Sequence, residues 1–140
     1  DLLDHLMGLS KGQMLTNVKT FLFAGYETTG FATTWAMWLA AKHPEWQKKV
    51  VDELTAAGIT SKNITKFSQV EGLPMLGAYV KEVLRLYPSA GFTRAVTAEE
   101  LPIAGGKYKI QKGTQIAIFP YFIHRCEENW NRAKEFDPER

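Results

Sequence analysis

Cysteine is almost absent: Cys126 is the one thiol in 140 residues. A single thiol excludes an internal disulfide framework and a zinc cluster built on several thiolates. Charge of one sign is also scarce. Lys plus Arg number 17 and Asp plus Glu 15, a formal net of +2, with acids and bases alternating along the chain. That leaves no dense positive footprint for nucleic acid, and the Lys48-Lys49 pair reads as a solvated helix face. No apolar run reaches the ~18 residues of a membrane span. His5, His43 and His124 lack metal-ligand spacing, and Gly105-Gly106 is too short to cradle a phosphate. Asn63-Ile64-Thr65 matches a glycosylation acceptor, although nothing else points to secretion. There is no signal pattern and no initiator Met; the ends, Asp1 and Arg140, read as cuts through a longer protein.

What remains is an ordinary globular composition, 45% apolar, 12% aromatic and 23% charged. A chain of this length buries roughly two thirds of its unfolded surface without staples, and the apolar fraction is too high for disorder. Residues 11–42 hold no proline. Apolar or small residues recur there at Phe21, Gly25, Thr28, Ala32, Trp35 and Leu39, alternating spacings of four and three. This predicts one helix of about 45 Å at ~1.5 Å per residue, with further apolar residues off the stripe implying burial on several sides. Pro44 opens a second helix over 44–57, closed by Gly58. Residues 59–72 read as a loop with a short helical turn. A third helix covers 74–86 and Pro88 stops it. From there the period changes to short β-favouring runs, 92–97, 107–110 and 114–119, separated by Gly105-Gly106 and Lys112-Gly113. Residues 126–140 form a polar, irregular tail. The expected fold class is mainly α with a small β-sheet, an α+β arrangement in a single partial domain over 1–140.

Two stretches break local rules. Ala24-Gly25-Tyr26-Glu27-Thr28-Thr29-Gly30 lies mid-helix, where each glycine costs ~1 kcal/mol relative to alanine. The paired threonines can bond back to carbonyls four residues earlier. Small residues one turn apart, Ala24 with Thr28 and Gly25 with Thr29, open a shallow groove. Thr28 offers a hydroxyl that gives and accepts a proton, and Glu27 an acid. From spacing alone the first reading is a close helix crossing with back-bonded threonines, and a short proton relay over a flat ligand is the second. In Lys81-Glu82-Val83-Leu84-Arg85, Glu82 and Arg85 share a helix face. They form either a surface ion pair worth ~0.3 kcal/mol or, with apolar neighbours, a buried pair that needs further hydrogen bonds.

These residues resemble a known family. Ala24-Gly25-Tyr26-Glu27-Thr28-Thr29 is similar to the oxygen-activation motif of cytochrome P450 monooxygenases, Ala/Gly-Gly-x-Asp/Glu-Thr-Thr/Ser. Glu82-Val83-Leu84-Arg85 resembles the family's Glu-x-x-Arg, in the context Lys81 to Pro88, and Phe136-Asp137-Pro138-Glu139-Arg140 its Phe-x-Pro-Glu-Arg motif. Lys112-Gly113-Thr114 and His124-Arg125 also fall where the family pattern has them. The motifs occur in family order and cover almost the whole chain.

The resemblance implies the central part of the cytochrome P450 fold. It implies a parent that inserts one oxygen atom from dioxygen into a small organic substrate, with haem b as cofactor and a reductase or ferredoxin as redox partner. Glu27 and Thr28 would be the catalytic pair that delivers protons for O–O cleavage. Ala24 and Gly25 would form the groove over the haem face, and Arg94 would hold a propionate. Glu82, Arg85 and Arg140 would form a buried structural triad that locks the third helix to the tail. Phe21, Phe23 and Phe31 would face substrate or pack in the core. The family's iron ligand is a cysteine in a glycine-containing loop, whose thiolate favours O–O cleavage. That loop is expected beyond Arg140. Cys126 stands where the family usually has Asp and lacks the loop's context, so no metal ligand is expected in this chain. The 140 residues alone should therefore be inactive, and any membrane anchor would sit upstream of Asp1. The alternative from another class is a non-catalytic helical and β module for binding or scaffolding.

Overall fold

The structure, a computed structural model, describes residues 2–140, with side chains from Asp4 onward. Five helices and four strands follow in order: α1 (Leu2–Leu6), α2 (Lys11–Lys42), α3 (Pro44–Ala56), α4 (Pro74–Leu86), β1 (Thr93–Val96), β2 (Leu101–Ile103), β3 (Tyr108–Ile110), β4 (Gln115–Ile118) and α5 (Pro120–Ile123). A single 3-10 turn, Phe67–Gln69, interrupts the loop before α4. The chain divides into two compact units, Asp1–Leu76 and Gly77–Arg140.

In the first unit, α2 starts on a capping box. The Gln13 N–H donates to Ser10 Oγ at 3.4 Å, and the Ser10 N–H donates to Gln13 Oε1 at 3.0 Å. Pro44 opens α3, and Gly58 ends it in the left-handed region at φ +67. The Ile59 N–H then reaches the Leu54 carbonyl at 2.9 Å and the Gly58 N–H reaches Thr55 at 3.0 Å, the paired bonds of a Schellman close. Helices α2 and α3 pack on each other, and Leu39 is the buried residue of α2. Here the structure departs from the sequence expectation of burial on several sides. Leu22, Phe23 and Tyr26 are 72%, 69% and 76% exposed, in an open apolar groove that Lys19 completes.

In the second unit, the expected small sheet is two separate antiparallel ribbons. β1 pairs with β4, with Arg94 opposite Ala117, and β2 pairs with β3, with Pro102 opposite Lys109. Proline lacks the ladder N–H, so Pro102 is tolerated only because a two-stranded ribbon leaves each strand an open edge. Ala104, Gly105 and Gly106, all at positive φ, make the β2–β3 turn. Thr97 closes the outer ribbon: its hydroxyl accepts from the Thr114 N–H at 3.0 Å and donates to the Gln111 carbonyl at 2.8 Å. The core of this unit is one face of α4. Tyr79, Val83 and Leu86 are buried, as are Ala133 and Phe136 of the tail, and the Tyr79 and Phe136 rings meet edge to face at 5.3 Å.

Candidate functional site

Glu82 and Arg85 sit within that buried face, at 4% and 5% exposure. The surface-pair alternative is thereby excluded. Arg85 grips Glu82 with two parallel bonds, Nε to Oε2 at 2.7 Å and Nη2 to Oε1 at 2.8 Å. Its remaining N–H groups donate to backbone carbonyls: Nη1 to His124 at 2.5 Å and Ala133 at 2.7 Å, Nη2 to Glu135 at 3.0 Å. All five guanidinium donors are thus used, and the Trp130 ring lies 5.2 Å from the guanidinium carbon. Glu82 Oε1 also accepts from Arg140 Nε at 2.9 Å and from the Asp137 N–H at 3.0 Å. Arg140 donates onward to the carbonyls of Asn131 at 2.6 Å and Glu135 at 2.8 Å. Residues 82, 85 and 140 therefore meet in one network that stitches α4 to the tail.

Burial alone pushes the Glu82 carboxyl up. The hydrogen bonds from Arg85, the Asp137 N–H and Arg140, with the Arg85 charge, outweigh it and hold the carboxyl below the ordinary carboxylate range. Burial raises the Tyr79 phenol. The tail bends sharply to reach α4. Arg132 takes φ +51, and its guanidinium pairs with Glu135 at 3.2 Å and with Asp137.

The second group of residues lies in the middle of α2. Thr28 Oγ1 donates to the Ala24 carbonyl at 2.7 Å, the back-bonded arrangement, as do Thr20 to Thr16 and Thr34 to Gly30. Ala24 and Thr28 lie one turn apart on one side. Glu27 is next to Thr28 in sequence but about 100° round the helix, and the two side chains make no mutual hydrogen bond. A Cβ built on Gly25 meets nothing within 4 Å, so no contact among the described residues requires glycine there. Arg94 lies exposed on β1, 5.2 Å from the Phe92 ring, and forms no ion pair among the described residues. Cys126 is a half-buried free thiol, and among the described residues no cluster of three or more His, Cys, Asp or Glu could hold a metal ion.

The sequence gives no direct warning of Glu53. Its carboxylate accepts from the Met75 and Leu76 N–H groups, both at 2.9 Å, in the first turn of α4. The available signal is negative: Leu73-Pro74-Met75-Leu76 offers no local capping side chain, so the amides need an acceptor from elsewhere. Asn63, the glycosylation candidate, uses its amide on the loop: Nδ2 donates to the Gly58 carbonyl and Oδ1 accepts from the Thr60 N–H, both at 2.7 Å.

A buried carboxylate shared by two arginines in the second unit and, in the first, a long helix carrying glycine and threonine at its middle define a class rather than a lone fold. The family model described as Cytochrome P450 matches residues 2–140. The chain belongs to the cytochrome P450 family. It is 36% identical over 132 residues to human "Cytochrome P450 4V2" (94% of this chain, 25% of the relative). It is 37% identical to "Cytochrome P450 3A13" of Mus musculus over 132 residues (94% and 26%). It is 35% identical to "Secologanin synthase 1" of Catharanthus roseus over 134 residues (95% and 25%). The chain thus spans about a quarter of the length of the curated relatives it matches. Among the described residues, no helix is long and apolar enough to cross a membrane.

Proposed function

We infer that this chain is the oxygen-activation and Glu-x-x-Arg portion of a haem-dependent monooxygenase, which inserts one atom of dioxygen into a small organic substrate. Both compact units belong, on this reading, to one catalytic domain. The observation that carries it is the open small-residue face of α2 at Ala24, Gly25 and Thr28, within a chain whose family membership extends over residues 2–140. The residues present suit haem b. Taken unit by unit, the bare backbone at Gly25 admits a flat ring closely, and, separately, the exposed Arg94 guanidinium, with no carboxylate partner among the described residues, has the chemistry to take a propionate. Bound haem would supply dioxygen binding and electron transfer, with electrons from a reductase or ferredoxin.

The chain's own residues then have separate tasks. Thr28 holds a hydroxyl proton on the Ala24 carbonyl and turns outward to pass it into the groove; Glu27, reached through water, restores it. Ala24 and Gly25 keep the groove shallow. Glu82, Arg85 and Arg140 never meet substrate. They hold the tail on α4 and so preserve the haem pocket. Leu22, Phe23 and Tyr26 on the outer face of α2 support the reading of a larger parent domain, because so much bare apolar helix calls for further protein against it. Cys126 serves no iron; the thiolate ligand comes from the parent's family loop.

The test is Thr28→Ala in the intact protein with its reductase. Peroxide released per reducing equivalent consumed should rise and product should fall, while haem content stays constant. Unchanged coupling would remove Thr28 from proton delivery.

A further inference from the structure

Helix α4 must close its C-terminal end as well as its N-terminal one, because the last four carbonyls of a helix have no partner within it. Arg85 is the last residue but one of α4, so its carbonyl is one of these. The ring nitrogen His124 Nδ1 lies 3.1 Å from that carbonyl oxygen. A carbonyl cannot donate, so Nδ1 must carry the proton. The same two residues are joined in the other direction, since the His124 carbonyl accepts from Arg85 Nη1 at 2.5 Å. The contact is therefore a closed two-way bridge, side chain to backbone each way. Trp130 braces it, meeting the imidazole edge to face at 6.1 Å and facing the Arg85 guanidinium at 5.2 Å.

We propose that His124 is a fourth member of the Glu82–Arg85–Arg140 lock: a positioning residue, present as the Nδ1–H tautomer, that caps α4 and sets the carbonyl gripped by Arg85. This extends the lock and rests on the haem reading only for the haem-retention readout below. The imidazole contacts the Arg85 carbonyl and the Trp130 ring. It acts through Arg85, by fixing where the His124 carbonyl stands. Without the ring bond, the residue 124 backbone is held from one side only, and Arg85 loses a rigid acceptor. Asparagine preserves the function, because its Nδ2–H group occupies about the place of the imidazole Nδ1–H. Phenylalanine preserves the ring and its packing on Trp130 but not the donor.

The experiment compares His124→Asn and His124→Phe with the parent, all as intact protein. Nuclear magnetic resonance on isotope-labelled histidine should show the His124 ring protonated at Nδ1 and hydrogen-bonded. Haem loss to an acceptor globin should quicken about tenfold in the Phe variant, the kinetic counterpart of one lost hydrogen bond, and stay within about twofold of the parent in the Asn variant. A His124 signal from the Nε2–H tautomer would overturn the proposal, as would a Phe variant as retentive as the parent or an Asn variant as leaky as Phe. A protein that takes up no haem would overturn the haem reading instead. The tautomer spectrum, which needs no haem, then decides His124 by itself.

Discussion

Replacing Glu82 by glutamine changes one oxygen into an amide and leaves the volume of the side chain intact. Its effect is nevertheless large, because Glu82 is the single carboxylate bonded to both Arg85 and Arg140. In Glu82→Gln two guanidinium groups lose their anion, and the new amide N–H can point at a donor. Breaking one side of a buried ion pair costs about 3–5 kcal/mol, against ~0.3 kcal/mol for an exposed helical pair. At 4% exposure the larger figure applies. Equilibrium unfolding of the intact protein, followed by haem absorbance and by far-ultraviolet circular dichroism, measures the loss. Its pH dependence adds a second constraint. The folded carboxyl lies below its ordinary value of 4.5, so the stability due to ionised Glu82 is fully present above that value. It is lost as pH falls through the lower folded value. The gap between parent and variant should be constant near neutrality and close in acid. A loss under about 1 kcal/mol at neutral pH, or a gap that widens on acidification, would refute the reasoning.

Other perturbations separate the parts of the account. Glu53→Gln keeps one acceptor for the first turn of α4 but removes its negative charge; destabilisation of about 0.5–2 kcal/mol is expected by chemical unfolding, the range of a lost helix cap. Arg94→Ala should leave the unfolding midpoint of the haem-free protein unchanged while haem dissociates faster; equal dissociation rates would detach Arg94 from the propionate. Cys126→Ser should leave the carbonyl spectrum of the reduced intact protein untouched, and loss of its thiolate band would make Cys126 the ligand after all. Arg85→Lys should resemble a deletion rather than a conservative change, because three ammonium donors cannot serve five acceptor contacts in a plane; melting indistinguishable from the parent would argue against the saturated guanidinium.

The long helices were legible because their signals are local. The stripe from Phe21 to Leu39 marks α2, Pro44 and Gly58 bracket α3, and Pro88 stops the turn after α4. The strand β2 was missed since Leu101-Pro102-Ile103 has a proline at its centre, and α5, four residues long, gives periodicity nothing to repeat. One sheet was expected where two ribbons form, because pairing depends on which turn closes on which, and β1 meets β4 across the intervening hairpin. For the site, spacing brings Glu82 to Arg85 but says nothing of Arg140, which lies 58 residues from Glu82; only the resemblance to known motifs supplied it. Three of the acceptors around Arg85 are backbone carbonyls. Any residue type can provide a carbonyl, so no sequence pattern marks them. Glu53, and the contact made by His124 although His124-Arg125 matched the family pattern, were hidden for a related reason, as both reach the ends of α4 from elsewhere in the chain.

The measurement closest to the central claim is the absorption spectrum of the intact protein, reduced and exposed to carbon monoxide. Haem lying against the open face of α2 and held by a cysteine of the parent should give the thiolate-type carbonyl band, and Thr28→Ala should leave that band unchanged while uncoupling turnover. A colourless protein, or a carbonyl spectrum of the histidine-ligated type, would contradict the assignment.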